Sequence, residues 1–326
     1  MKPIFRRLSA IASVACALAA APAGAQDYPN RHIQLVIPYA AGGVTDVLAR
    51  LVAENLGNRL GERLVPDNRP GAGTAVGAST VARAAPNGYT LLFSTMAHSL
   101  NATMNPKLSF DSVNDFEFIG KIGQIQMLVM TNPQHLKVDD LRGLVSVMHS
   151  QPGKVSFASS GIGSPSHLGV ELLKYVAKAD AVHVPYKGES PGLADLLGGQ
   201  VDFMLCSIAT CAPRMQDGKL KALALTAATR SPSAPSIPTV AEAGFPGAEI
   251  NTWYFIAAPK GTSPAIVDKL NRALNEVLAD EKFRTRVLAM GIDLEKSTTP
   301  AATKGLVQSE IEKWRPIVKA SGATSN

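Results

Sequence analysis

From Ile33 to Ala320, short apolar runs of strand length alternate with longer runs of helical periodicity, and this alternation constrains the fold more than any other feature. Strands are expected at 33–38, 90–94, 116–122, 127–131, 154–158, 181–184, 201–206, 222–226 and 253–257. Helices are expected at 44–60, 75–84, 138–150, 165–177, 191–197, 264–279, 282–290 and 300–320. Such an order reads as α/β architecture with mostly parallel sheets flanked by helices. The first helix sets Val47, Leu48, Leu51, Val52 and Leu56 on one face, a stripe suited to packing on a sheet.

No internal repeat or low-complexity linker divides the chain into consecutive domains, so two lobes joined by crossing strands are expected. The crossings are placed near 125–130 going out and 250–255 coming back. Residues 26–125 and 250–326 then form a discontinuous first lobe, and 126–249 an inserted second one.

Two strand-to-helix junctions carry the functional signal. In Leu35-Val36-Ile37-Pro38-Tyr39-Ala40-Ala41-Gly42-Gly43-Val44-Thr45-Asp46 an apolar strand passes through a double glycine straight into a helix. Glycine lets a ligand approach the backbone, and the first helical turn offers unpaired N–H groups at the positive end of the macrodipole. An ordinary turn with Asp46 as a capping residue is the plain alternative. More than a hundred residues later, Val155 to Leu168 repeats the design with Ser159, Ser160, Gly161, Gly163, Ser164 and His167. Ser164 suits the N-cap and Pro165 the N1 position. Two such loops facing each other would hold a small anion by backbone amides.

Residues 1–25 read as a secretory signal: Lys2, Arg6 and Arg7, an apolar stretch from Leu8 to Ala20, and Ala23-Gly24-Ala25 as cleavage site. Acylation of Cys16 is the competing reading, weakened by Ser13 where a lipobox has Leu. Three of the 32 basic residues and none of the 26 acidic ones lie in this leader, so the whole-chain charge of +6 falls to +3 in the mature chain. That balance, with no basic block interleaved with aromatics, gives no support to nucleic-acid binding. The mature chain keeps Cys206 and Cys211, with Cys206 after an apolar strand and Cys211 before Pro213 at a helix start. A disulfide and two buried thiols both remain open.

Enzymatic readings find little. Gly71-Ala72-Gly73-Thr74-Ala75-Val76-Gly77 lacks the preceding strand and the later acid of a dinucleotide fingerprint, and reads as a turn whose glycines permit close packing. Ser164, Ser166 and His167 raise the question of a serine hydrolase, but no G-x-S-x-G surrounds them and no acid is placed to orient the imidazole. The remaining histidines show no metal-ligand spacing, and neither a metal nor a cofactor is expected.

The motifs together resemble the Bug (TctC-like) family of receptors for tripartite tricarboxylate transporters. The resemblance rests on Tyr28-Pro29, the double-glycine loop, Asp67-Asn68-Arg69-Pro70-Gly71-Ala72-Gly73 and Pro86-Asn87-Gly88-Tyr89-Thr90-Leu91-Leu92. It continues through Ser159-Ser160-Gly161, His167-Leu168, His183-Val184-Pro185-Tyr186-Lys187-Gly188, Gly198-Gly199-Gln200-Val201-Asp202, Pro238 to Gly244 and Ala258 to Thr262. It implies a two-lobed periplasmic binding protein, type II-like, that closes on a di- or tricarboxylate, an acidic amino acid or an aromatic carboxylate. It also implies a monomer that delivers its ligand to membrane permease subunits; a sensor acting on a membrane kinase is the alternative role.

Carried over by position, the implied ligand shell is Tyr39, Gly42, Gly43, Thr45 and Asp46, then Ser94, Thr95 and His98, then Ser160, Gly161, Gly163, Ser164 and His167. Tyr39 either meets the ligand or wedges beneath its loop. Two departures from the family pattern stand out. Ala41 replaces a proline common before the double glycine. Cys206-Ser207 replaces an Asp-Asn or Asp-Gln pair at a position implied to help choose the ligand.

Overall fold

The computed structural model describes residues 28–105, 107–231 and 234–321. The expected leader, with Cys16 and the Ala25 cleavage site, lies outside the described residues.

Two sheets share one long strand. The first contains β1 (Ile33–Ile37), β2 (Leu64–Asn68), β3 (Thr90–Thr95), the first part of β4 (Phe116–Thr131), β9 (Asn251–Pro259) and β10 (Ile292–Leu294). The second contains the end of β4 with β5 (Ser156–Ser159), β6 (Val182–Pro185), β7 (Phe203–Ser207) and β8 (Lys221–Leu225). Strand β4 pairs with β9 as far as Gln126↔Asn251 and with β7 from Met127↔Ser207 onward.

The outer strands β1, β2 and β3, and likewise β5, β6 and β7, run parallel as the alternation predicts. The sheets are nevertheless mixed rather than mostly parallel, because β4, β8, β9 and β10 make antiparallel pairings. A chain that leaves one sheet and returns to it must run its two crossing strands in opposite directions. A single residue ties the crossings together: the Thr226 N–H donates to Met127 O at 2.9 Å, the Ile250 N–H to Thr226 O at 2.9 Å, and the Thr226 hydroxyl lies 2.7 Å from Ile250 O.

Helices cover the sheets where their apolar faces dictate. Helix α1 (Val44–Leu60) buries Leu48, Leu51, Val52 and Leu56, and ends at Gly61 in the left-handed conformation that glycine adopts without strain. Val47, expected on that stripe, is 47% exposed. Each fully buried aliphatic side chain contributes roughly 1.5–3 kcal/mol.

The next helices are α2 (Ala75–Ala82), α3 (Ala97–Met104), α4 (Leu141–Ser150), α5 (Pro165–Ala177), α6 (Glu189–Leu197) and α7 (Ile208–Gln216). The last three are α8 (Pro264–Ala279), α9 (Glu281–Leu288) and α10 (Pro300–Ser321), with Trp314 of α10 wholly buried.

Cys206 and Cys211 are joined in a disulfide with a Cα–Cα distance of 6.2 Å. Cys211 lies inside α7 rather than before it, so the turn from β7 into that helix brings the two sulfurs together. This resolves the pairing that spacing left open.

Candidate ligand-binding site

A cavity of about 520 Å³ opens where loops of the two sheets meet. The first sheet contributes Pro38, Tyr39, Ala40 and Thr45 from the β1–α1 junction, Pro70, Gly71, Gly73 and Thr74 before α2, Thr95, Ala97, Asn101 and Met104 around α3, and Thr252 of β9. The second contributes Ile162, Gly163, Ser164 and Pro165 from the β5–α5 junction. The two glycine-bearing junctions therefore line one space. A larger groove of about 620 Å³ runs along the outside of α1 and β2, but it lacks convergent loops.

Four helices begin at the cavity wall: α1 at Gly43, α2 at Thr74, α3 at Met96 and α5 at Ser164. A helix N-terminus carries partial positive charge, so this setting favours an anion without a cationic side chain. Tyr39 both wedges and lines: its ring packs against the apolar core between the first sheet and α1 while its hydroxyl lies 2.5 Å from Thr95 Oγ1. Burial raises the Tyr39 hydroxyl to about 12, keeping it a neutral donor. Asn101 braces the α2 loop through Gly73 O and Thr74 Oγ1, the latter at 3.0 Å.

Of the residues expected to form the ligand shell, Tyr39, Thr45, Thr95, Gly163 and Ser164 line this cavity. Others hold the loops in shape. Asp46 is 3% exposed and accepts from the Gly42 amide at 2.9 Å, Arg50 Nε at 2.9 Å and Asn68 Nδ2 at 2.8 Å. Burial works against its ionisation, yet Arg50, Gly42 and Asn68 outweigh burial and lower its carboxyl to about 2. Gly42 has φ +88° and spends its N–H on Asp46, whereas the α1 cap Gly43 has open space on its Cβ side.

In the opposite loop, Ser160 N–H donates to Ser166 Oγ, Gly161 N–H to Ser159 Oγ and Gly163 N–H to His167 Nδ1 at 3.1 Å. His167 stacks on His183 at 3.9 Å, and burial depresses both imidazoles to about 4. Ser166 Oγ bonds with Ser160 and Ser164 rather than His167, and the serine–histidine contact of this loop is instead between Ser159 Oγ and His183 Nε2 at 2.6 Å.

Three expectations need correction. His98 does not reach the cavity: its ring is wholly buried among Phe110, Phe116 and Phe255, and Nε2 meets Ser112 O at 2.9 Å. Burial lowers it to about 4, as for a neutral core histidine. Ser94 is wholly buried opposite Phe255 in the β3–β9 ladder. Cys206 is buried in its disulfide, and Ser207 caps α7, where the Glu189 carboxylate accepts from its N–H and hydroxyl and from Thr210 Oγ1. The reading missed Asn101, Met104 and Thr252; the first two lie on a helix whose polar sequence hid it.

Fold and site together define a class: α/β binding proteins in which a cleft bounded by two sheets presents helix N-termini to a small solute. Residues 48–323 match the family described as "TctC: Tripartite tricarboxylate transporter family receptor". The chain is 36% identical to Protein BugT of Bordetella pertussis over 97% of its own length and 98% of that protein.

Among solved structures it is similar to MatC of Rhodopseudomonas palustris with bound malate, at 34% identity and a TM-score of 0.74 over 89% of this chain and 100% of that one. It is also similar to R. palustris Rpa4515 with adipate, at 32% identity and a TM-score of 0.76 over 91% and 99%. The chain belongs to the TctC (Bug) family of tripartite tricarboxylate transporter receptors. These are solute-binding receptors, not enzymes.

Proposed function

We propose that the protein is a periplasmic receptor that captures a small organic acid between its two sheets and delivers it to the permease subunits of a tripartite tricarboxylate transporter. The observation that carries this reading is the convergence of four helix N-termini on a cavity with no charged side chain among its described lining residues. Malate in MatC and adipate in Rpa4515 support a carboxylate as the occupant.

In this reading the leader is removed after Ala25, and residues 26–125 with 250–326 form one lobe and 126–249 the other. The mature protein acts as a monomer. Ligand settles on the α1 terminus, and the lobes close about the crossings near Thr226 so that the α5 loop completes the site. Turning an equilibrium from 1:99 to 99:1 takes about 5.5 kcal/mol of differential affinity. Two to four hydrogen bonds to a carboxylate, at roughly 1.5–3 kcal/mol each, are of that size. Closure is then what the permease recognises.

Calorimetry on residues 26–326 with malate, adipate and benzoate tests the proposal. Saturable one-to-one binding without turnover of at least one acid is expected; consumption of the ligand, or no binding by any carboxylate, would overturn it.

A further inference from the structure

Where the chain crosses between the two sheets, a separate cavity of about 390 Å³ opens beside the β4–β10 pairing. Its floor holds Gln126, the last β4 residue paired with β9, and Asp293 of β10. Its walls come from both sides of the crossing. Thr229 and Arg230 follow β8, whereas Arg284 and Leu288 belong to α9 and Lys296 follows β10.

Two acceptors on this floor are left wanting. Asp293 Oδ2 accepts from Gln126 Nε2. A carboxylate only accepts, so the Gln126 amide must turn its NH2 towards Asp293. That leaves Gln126 Oε1 without a donor, on a side chain that is 4% exposed. Among the described residues Asp293 has no ion-pair partner, and burial raises its carboxyl above the ordinary value. Such a pair is completed by a donor that carries positive charge.

The rim supplies the opposite chemistry. Glu295 is already paired with Lys121 at 2.6 Å, and Arg230 with Glu242 at 2.9 Å. Lys296 is exposed and has no partner among the described residues. Arg284 uses Nη1 on the carbonyls of Leu278 and Glu295, which leaves its other nitrogens to a ligand. Leu288, 49% exposed, adds an apolar wall.

We propose that this cavity is a second ligand site, distinct from the cleft, which takes an α-amino acid with an apolar side chain. The ammonium meets Gln126 Oε1 and Asp293, the carboxylate meets Lys296 and Arg284, and the side chain lies on Leu288. Charged partners at both ends make these hydrogen bonds the strong kind. An amine alone satisfies only the floor, and an acid alone only the rim.

Calorimetry on residues 26–326 tests this with L-leucine, 3-methylbutylamine and 4-methylpentanoate, the last two being leucine without its carboxylate and without its ammonium. Leucine is expected to bind one-to-one, and each fragment about tenfold more weakly or worse. Asp293→Asn keeps an oxygen for Gln126 Nε2 and removes the charge, and Lys296→Ala alters an exposed side chain. Each should weaken leucine, Asp293→Asn by about tenfold, with the ligand-free Tm within about 2 °C of the parent. Gly43→Leu, in the cleft, should leave leucine affinity unchanged. Absence of leucine binding, binding undiminished by Asp293→Asn, a fragment that binds as tightly as leucine, or loss of leucine binding in Gly43→Leu overturns the proposal. None of these results bears on whether the cleft takes a carboxylate, so the receptor reading stands or falls separately.

Discussion

His167 accepts the Gly163 amide proton at Nδ1 across 3.1 Å while its ring lies 3.9 Å from that of His183. Protonation of His167 removes the acceptor and sets a cation against the stack. The charged groups facing the pair are Glu171, 3.9 Å from His167, and Lys174, which is paired with Glu171 and Asp180.

Both imidazoles fall to about 4 in the folded protein, against about 6.5 unfolded. Between these values the unfolded chain binds more protons, so stability is fully present above pH 6.5 and declines as pH falls towards 4. After discounting for the partial exposure of His183, the loss is on the order of 3 kcal/mol for the pair. Urea denaturation at pH 7.5 and 4.5 should show this drop, and His183→Phe, which leaves only His167 to titrate, should reduce it. An equal drop in the variant would place the sensitivity elsewhere.

Asp46 titrates in a separate window. Its carboxyl is held at about 2, so its contribution is complete above the unfolded value near 4 and is lost as pH falls through 2. Asp46→Asn keeps the shape but leaves one oxygen to serve three donors, so it should cost about 2 kcal/mol. The ligand should bind about tenfold more weakly as the Gly42 turn loosens. Unaltered affinity with reduced stability would confine Asp46 to a purely structural role.

Gly43→Leu separates binding from folding. The backbone there has φ −79°, and a Cβ would meet nothing within 4 Å, so the chain accepts a side chain. The expected result is a Tm within about 2 °C of the parent, consistent with less than roughly 0.5 kcal/mol, together with loss of ligand binding. Retained affinity would show that the α1 terminus does not carry the anion.

Ser164→Ala removes the cap that receives the His167 N–H at 3.2 Å. About 1 kcal/mol of stability should be lost. Because Ser164 also lines the cavity, affinity should fall several-fold. A fall in stability alone would assign the hydroxyl to the helix and not to the ligand.

Thr226→Val tests the crossings. The substitution keeps the side-chain shape and deletes the hydroxyl beside Met127 O and Ile250 O, at a cost of roughly 1–2 kcal/mol. Small-angle scattering should show a smaller change in radius of gyration on ligand addition, or a free state already shifted. Identical scattering in both states would move the pivot elsewhere.

Much of this architecture was written in local pattern. Helices α1, α5 and α8 fall at their expected bounds because each joins a cap signal or double glycine to a long amphipathic run. Strand β2 was missed because Pro66, Asp67 and Asn68 disfavour a strand, and an edge position tolerates them. Strand β4 read as two, 116–122 and 127–131, because Gly123, Gln124 and Gln126 interrupt its apolar run, and Gly120 is a second glycine within it. Both glycines sit at register shifts, and a Cβ would meet Thr298 and Asp293 at 2.5 Å, so long-range packing set those residues. Helix α7 hid behind Pro213. In the cavity, the glycine loops announced themselves, whereas Asn101 and Met104 depended on a helix with no cap signature and His98 was claimed by an aromatic core that no local spacing records.

Strand β4 runs unbroken from Phe116 to Thr131 through both sheets. A shared strand transmits torque as a torsion bar does: one sheet turns against the other only by twisting a backbone whose hydrogen bonds are occupied on either side of Gln126. Sliding would tear both ladders, so rotation is the cheap motion, and it falls on the single step from Gln126, paired with Asn251 in one ladder, to Met127, paired with Ser207 in the other. The two halves are consequently inseparable as expressed fragments, since any cut that frees one removes an interior strand from the other.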